Sequence, residues 1–383
     1  MIVSKVGSSV LTEAFEAGKE AALASKVEGA KLAMLYCSCT YDIAEVVKGV
    51  KEVLPGIPVL GNTSFTGVIT PEGYIGGDKP FAGVLTIGGD DLKVGVAAKE
   101  KGVCAKAEGA ELAKAAMTAA GMNTAPDVLY MAASPAEEEF WLKGISSVTG
   151  RVPFFGGSAA DNAIAGEWKL YADDTVFADG CIVAMFWGLN IKNVFTGAYR
   201  ETEDFGVITK LNGIRCLAEI DGVPAAEKYM EWRGVDKEAV TGGNLLVTTI
   251  TSPLGIKDRL GDLIAIRHPM NGNDDGSFNV GANLSEKTCV IRMEATVDEL
   301  IESVGKTLDE LLKDSPKPAA LHLVHCGGRR AGIGDRINEV AEIVKTKAGD
   351  IPFIVEFTFG EYGFASDSNN TIGGLMLSFT ALY

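Results

Sequence analysis

GIPVLGNTSFTG (residues 56–67), RVPFFGGSAADN (151–162) and DIPFIVEFTFGE (350–361) are three versions of one phrase, in which a proline opens a short apolar run that ends in a polar turn. The resemblance extends backwards from each proline. Ahead of Pro58 lie an amphipathic stretch EAFEAGKEAALASK, a strand-like run KLAMLYCS and a second helical stretch DIAEVVKGVKEVL. Ahead of Pro153 the order returns as AEGAELAKAAMTAAG, DVLYMAAS and AEEEFWLKGISSVTG, and ahead of Pro352 as TVDELIESVGKTLDELLK, AALHLVHC and DRINEVAEIVKTKAG. Strands alternating with helical patterns of this length make βαβ units, whose two strands run parallel because the crossover helix covers one face of the sheet. After each turn a Gly-rich segment leads to another apolar run (FAGVLTIGG, DGCIVAMFWG, IGGLMLSFTALY), so each repeat is expected to continue its own sheet.

Between the second and third units, residues 201–295 have no counterpart. GIRCLAEIDG, DLIAIRHP, GSFNVGAN and TCVIRMEA cluster apolar residues between turn signals, the pattern of an antiparallel meander, and PAAEKYMEWRG is a short helix opened by Pro224 and stopped by Gly234. The fold class is therefore mixed α+β, built of repeated βαβ-type units in two domains. Residues 1–200 hold two α/β repeats; residues 201–383 hold the meander insertion (201–295) and the third repeat (296–383).

With 383 residues and 47% hydrophobic content the chain can bury a large core. A formal charge of -16 argues against a nucleic-acid partner, because phosphate binding needs clustered Lys and Arg. The N-terminus lacks the apolar core of a signal peptide, and no apolar run reaches the roughly 18 residues that cross a bilayer, so the chain reads as cytoplasmic with no membrane partner. Seven cysteines without an export signal are expected to be free thiols, with Cys104, Cys181, Cys216 and Cys289 as core filler. Cys37 and Cys39 have no second Cys pair and the chain holds three histidines, so neither a metal nor a cofactor is expected.

Ligands of open α/β sheets bind beyond the carboxyl ends of the strands, and all three polar turns follow a strand directly. Asn62, Thr63, Ser64, Ser158, Asp161, Asn162 and the 358–361 segment, with Gly360 and Glu361, are thus candidate site residues, against the plain alternative that Gly, Ser, Asn and Asp simply build turns. LHLVHCGGRRAGIGDR (321–336) runs from a strand into a Gly-rich turn before a helix; such a turn offers backbone N–H groups to an anion, and Arg329 or Arg330 could grip a carboxylate. Its spacing fits neither a dinucleotide fingerprint nor a P-loop. Cys326 ends this strand and could be a nucleophile, but His325 beside it points to the opposite face, so a structural thiol is the competing reading. Trp168 and Tyr171 are read as core.

PVLGNTSFTG, PFFGGSAADN, IDGVPAAEKY, RHP, HCGGRR and the terminal FTFGEYG…NNT, in that order, resemble the FIST sensory family, whose N- and C-terminal parts would cover nearly the whole chain. The resemblance implies a module that senses small molecules such as amino acids and is often joined to signalling domains. It places functional positions at Gly156, Gly157, Ser158, Asp161, Asn162, Cys326, Arg329, Gly360 and Glu361. The two halves use the entire chain, so a separate signalling protein is expected as the output partner. The expected ligand bears a carboxylate, taken by Arg329, with Asp161 or Glu361 for an ammonium and Thr63, Ser158 and Asn162 for neutral hydrogen bonds. The rival reading is a cysteine-dependent enzyme acting on an acyl or amide-like small molecule through Cys326.

Overall fold

The structure, a computed structural model, describes residues 1–241, 243–257, 264–364 and 370–383. Residues 262 and 263 of the DLIAIRHP stretch and Asn369 of the terminal motif lie outside them. The first unit runs strand Val3–Ser9, helix Ala14–Ser25, strand Ala30–Cys37, helix Ile43–Val53, strand Val59–Thr63, a hairpin Gly67–Thr70/Gly73–Gly76 and a closing strand Ala82–Gly88. The second repeats this with Lys93–Glu100, Ala105–Ala119, Val128–Ala133, Glu138–Thr149, Phe154–Ser158, the hairpin Leu170–Ala172/Thr175–Phe177 and Gly180–Trp187. The third has Ile191–Thr196, then the insertion, then Val297–Leu312, Ala320–Cys326, Gly327–Ile333 with Ile337–Ala348, Phe353–Thr358, the hairpin Glu361–Phe364/Asn370–Gly373 and Leu377–Leu382.

Local chemistry accounts for these elements. Asp42 accepts the Ala44 N–H at the start of its helix, and Thr296 with Glu299 forms a reciprocal capping box that opens Val297–Leu312. Gly150 and Gly349 end helices with φ of 69° and 59°. The expected parallel pairs are present in all three units: Ala33 against Val59, Leu129 against Phe154 and Leu321 against Phe353. Each unit also gains an opening strand that the sequence pattern does not announce. Val3–Ser9 and Lys93–Glu100 are largely exposed or half-buried sheet edges, so they carry no apolar run to betray them.

Each repeat continues its own sheet past the turn, as expected, through its closing strand, which pairs with the unit's own first parallel strand. The short hairpin between the turn and that strand, which the sequence pattern does not announce, crosses to a neighbouring sheet. The first unit's hairpin joins the third sheet through Ile69 and Val355, the second unit's joins the first through Leu170 and Asn62, and the third unit's joins the second through Glu361 and Gly157. The exchange is cyclic, so the three units form one pseudo-threefold body that cannot be pulled apart without breaking every sheet.

Helices pack on the outer face of each sheet, close enough that a Cβ on Gly49 would lie 2.0 Å from the Phe15 carbonyl oxygen. The inner faces converge on a shared core in which Leu60, Phe155 and Ile354 occupy the same register position. One residue pair further on, Asn62, Gly157 and Glu356 share the next inward position. There, fully buried, Asn62 Nδ2 donates to Glu356 Oε2 (2.8 Å), Tyr130 OH donates to Asn62 Oδ1 (3.1 Å), and Tyr36 OH meets His322 Nε2 (2.6 Å). Glu356 Oε1 stands 3.2 Å from His322 Nε2. A polar knot thus sits on the pseudo-axis inside an apolar core.

The insertion is an antiparallel sheet whose strands include Arg200–Leu211, Cys216–Ile220, Phe278–Val280 and Cys289–Glu294, with its own core around Phe278 and Tyr229. The helix Ala225–Arg233 starts after Pro224 and stops at left-handed Gly234, where the sequence puts both signals. Among the described residues no helix is long and apolar enough to cross a membrane. Cys104 and Cys289 are exposed thiols, which corrects their reading as core filler; Cys181 is buried and Cys216 half-buried.

Candidate functional site

The three polar turns interlock at one end of the body. Ala160 N–H bonds the Thr63 carbonyl, Ser158 N–H the Gly360 carbonyl, Phe359 N–H the Ser158 carbonyl, and Phe65 N–H the Phe357 carbonyl. Most of their polar side chains hold this junction together. Ser64 Oγ donates to the Gly67 carbonyl and accepts the Phe357 N–H; Thr63 Oγ1 accepts the Lys169 N–H; Asn162 Oδ1 accepts the Thr66 N–H. Both carboxylate oxygens of Asp161 are occupied by the N–H groups of Ala163, Ala165 and Glu167. Gly156 adopts φ 135° with its α-carbon pressed against the Met131 carbonyl, where a Cβ would lie 1.9 Å from the oxygen, and a Cβ on Gly157 would strike the Thr358 methyl. Gly360 passes close to Ser158 Oγ in the same way. Asn62 points away from the turns into the axial knot. Trp168 is half-buried against Phe359, and Tyr171 is fully buried.

The third unit differs. Its glycines at 327 and 328 are not a loop ahead of a helix: Gly327–Ile333 is itself a helical segment, broken at Gly334 before Ile337–Ala348. Helical geometry separates the two arginines. Arg330 lies half-buried over Tyr74 (5.0 Å), whereas Arg329 is fully buried, with Nη2 donating to Ser303 Oγ (2.6 Å) and the Leu300 carbonyl (2.9 Å). Among the described residues its Nε and Nη1 have no hydrogen-bond partner. An unsatisfied buried guanidinium is rare, because each orphaned donor forfeits its hydration.

Three groups share this interior neighbourhood. Glu361 is fully buried, accepting from Thr358 Oγ1 (3.0 Å) and the Met376 N–H (2.9 Å); burial pushes its carboxyl up to about 8, and the hydrogen bonds and Arg329 only partly oppose that. Cys326 Sγ accepts the Leu375 N–H (3.2 Å), and burial, then the Glu361 charge, raises its thiol above the ordinary range. Tyr199, close enough to feel Arg329, Cys326 and Glu361, has a buried hydroxyl with no partner. His268 borders the cluster, its ring 3.7 Å from where a Cβ on Gly328 would sit, and burial lowers it to about 4, so it is neutral at pH 7. Gly374 is buried, yet among the described residues a Cβ there would meet nothing within 4 Å, which marks unfilled volume beside Leu375. Sequence reading missed Tyr199 and His268; the RHP triplet was the available signal for the second.

The thiol chemistry bears on the rival reading. A nucleophilic cysteine is a thiolate held by nearby positive charge; Cys326 is held neutral, and His325 turns its Nδ1 to the Cys326 carbonyl and packs against Phe357. With iodoacetamide near neutral pH, exposed Cys104 should label readily, Cys289 more slowly because partial burial and the Asp221 and Glu201 charges raise its thiol, and buried Cys326 roughly a hundredfold more slowly than Cys104. Labelling of Cys326 as fast as Cys104 in peptide mapping would restore the nucleophile.

The insertion is tied to the first half by a buried clamp. Arg215 Nη2 bridges Glu138 Oε2 (2.5 Å) and Glu139 Oε2 (2.6 Å), its Nε bonds Asn283 Oδ1, and Ser158 Oγ donates to the other oxygen of Glu138 (2.9 Å). Tyr362 OH lies 2.7 Å from the same Ser158 hydroxyl. Ser158 therefore connects the insertion to the strand that carries Glu361.

No curated protein matches the chain. Among solved structures it is similar to a cyanuric acid hydrolase from A. caulinodans (TM-score 0.36, 10% identity, 100% of this chain and 99% of that chain). It is also similar to phosphoribosylformylglycinamidine synthase II from Thermotoga maritima (TM-score 0.23, 10% identity, 100% and 72%). Likenesses this distant carry no functional argument. The FIST N domain model matches residues 31–223 and the FIST C domain model residues 225–363, and the chain is accordingly a member of the FIST family of sensory signal-transduction domains.

Proposed function

We propose that the chain is a sensor for an amino acid or a closely related carboxylate, held at the interior cluster of the third unit and reported to a separate signalling protein. The observation that carries this reading is Arg329: a fully buried guanidinium with Nε and Nη1 unpartnered, beside the unpartnered Tyr199 hydroxyl. Those adjacent donors match the two oxygens of a carboxylate, and the tyrosine adds a third hydrogen bond. Glu361 supplies the acceptor for an α-ammonium, exchanging its own proton for the ligand's charge. The buffered position of the acid near neutrality suits a site that must be stable both empty and filled.

A thermal-shift screen of the common amino acids and short organic acids, followed by calorimetry, tests it. At least one amino acid should stabilise the protein, and Arg329→Lys, which keeps the charge and loses the fork, should weaken binding by about 2 kcal/mol, roughly thirtyfold. Absence of binding by every member of the panel, or affinity unchanged in both Arg329→Lys and Tyr199→Phe, would overturn the reading.

A further inference from the structure

An open cleft of about 650 Å³ lies between the helix Glu138–Thr149, the insertion and the third unit's hairpin. The volume is that of a small-molecule site. Three cations line it, Lys143, Arg151 and Arg267, and among the described residues none of them pairs with a carboxylate. In a chain of formal charge -16 that is an unusual surface. Among the described residues one acid lines the wall, Glu139, and it is already held by Arg215 Nη2 and by the Asn283 N–H.

Lys143 and Arg151 have ordinary explanations: Lys143, in the middle of its helix, lies over the Phe140 ring, and Arg151 follows the helix C-terminus, where a cation complements the dipole. Arg267 shares neither. It comes from the opposite wall, on strand Ile264–Arg267, and is 8% exposed. Its Nε bonds the Asn283 carbonyl and its Nη1 the Ile266 carbonyl, so two backbone oxygens fix the guanidinium in place. Against its burial, the nearby Glu139 charge favours the charged form, opposed by Arg215, but makes no ion pair with Arg267 among the described residues, and holding a charged side chain immobile and nearly buried with no paired anion is costly unless one is supplied. Burial draws Arg267 down only to about 10, so it remains charged at neutral pH.

We propose that this cleft is a second ligand site, for a small molecule carrying two or more negative charges, with Arg267 as its fixed anchor and Arg151 and Lys143 closing on it from the helix. It is separate from the Arg329 site. Arg267 faces the cleft, while its neighbour His268 turns inward to the Leu246 carbonyl and the Gly328 side of the interior cluster. The two sites nevertheless share a hairpin: Thr371 and Ile372 line the cleft, and a few residues on Leu375 and Met376 give their N–H groups to Cys326 and Glu361.

The test is titration of the full chain with pyrophosphate and with citrate, read by calorimetry and thermal shift at constant ionic strength. Either probe should bind saturably at about 10 mM or below, and Arg151→Glu and Arg267→Gln should each raise its Kd at least roughly tenfold. Arg329→Lys should leave this Kd unchanged, so loss of amino-acid binding and loss of polyanion binding report on different sites. No saturable binding of either probe, or binding that survives both cleft substitutions, would overturn the proposal.

Discussion

Glu361→Gln should stabilise the protein at pH 9 and leave it nearly unchanged at pH 5. The acid rises from an unfolded value of 4.5 to about 8 when buried, so between those limits the folded state binds more protons than the unfolded state. Stability from this group is present below the unfolded value and is lost as pH rises through the window, levelling off above pH 8. A shift of about 3.5 pH units corresponds to about 5 kcal/mol, an upper figure for the wild type's deficit against the variant. Gln resembles the protonated acid: its carbonyl accepts the Met376 N–H, and its amide faces Thr358 Oγ1, which donates to the carboxylate in the wild type and turns its hydroxyl to accept from the amide. Denaturant unfolding of both proteins across pH 5–9 reads the difference, from which titrations common to both cancel. Parallel curves would mean that Glu361 ionises normally. If the site also takes an ammonium, calorimetry at pH 7 in buffers of different ionisation enthalpy should show a proton released on amino-acid binding, and the release should vanish in Glu361→Gln.

The architecture was legible where local pattern determines it. Proline, apolar run and turn recur because each unit needs a parallel strand delivered by a crossover helix, and Pro224 and Gly234 bracket their helix by backbone geometry alone. The hairpin exchange was not legible. Gly67–Thr70 or Leu170–Ala172 is an apolar strand that would fit any of three similar sheets, and its choice is made by the shape of the assembled body. The site was half legible for the same reason. The turns do meet, but whether a Ser or Asp there faces a ligand or a backbone N–H depends on contacts from another unit, as with Asn162 and Thr66. Arg329 and Arg330 read alike as neighbours in sequence; only the helical segment beneath them separates a buried donor from a half-exposed one. Tyr199 carried no signal. The divergence of the three turns acquires a physical sense: the polar side chains of the first two mostly bond within the junction and close it, whereas the third carries Glu361 into the neighbourhood of the Arg329 guanidinium.

The axial knot did leave a trace, as Glu356 inside FIVEFT and His322 inside ALHLVHC, single polar residues in strands that otherwise belong in a core. Its energetics give the second large expected effect. Glu356→Ala removes the acceptor of Asn62 Nδ2 and opens a void on the pseudo-axis, with Tyr36, Tyr130 and His322 packed around it. Breaking one member of a fully buried hydrogen-bonded network and leaving a void in its place costs about 3–5 kcal/mol, much of it from the partners left behind. Replacing both partners by apolar residues removes that penalty, so Asn62→Leu combined with Glu356→Leu should recover most of the loss. A double-mutant cycle on the two positions should then show a coupling of at least about 1 kcal/mol. The equivalent position of the second unit is Gly157, which contributes nothing polar, so that unit enters the knot only through Tyr130 on the neighbouring strand. Additive effects in the cycle, with each single substitution costing under about 1 kcal/mol, would show that water or a rotated side chain replaces the lost bonds and that the knot does not hold the three units in register.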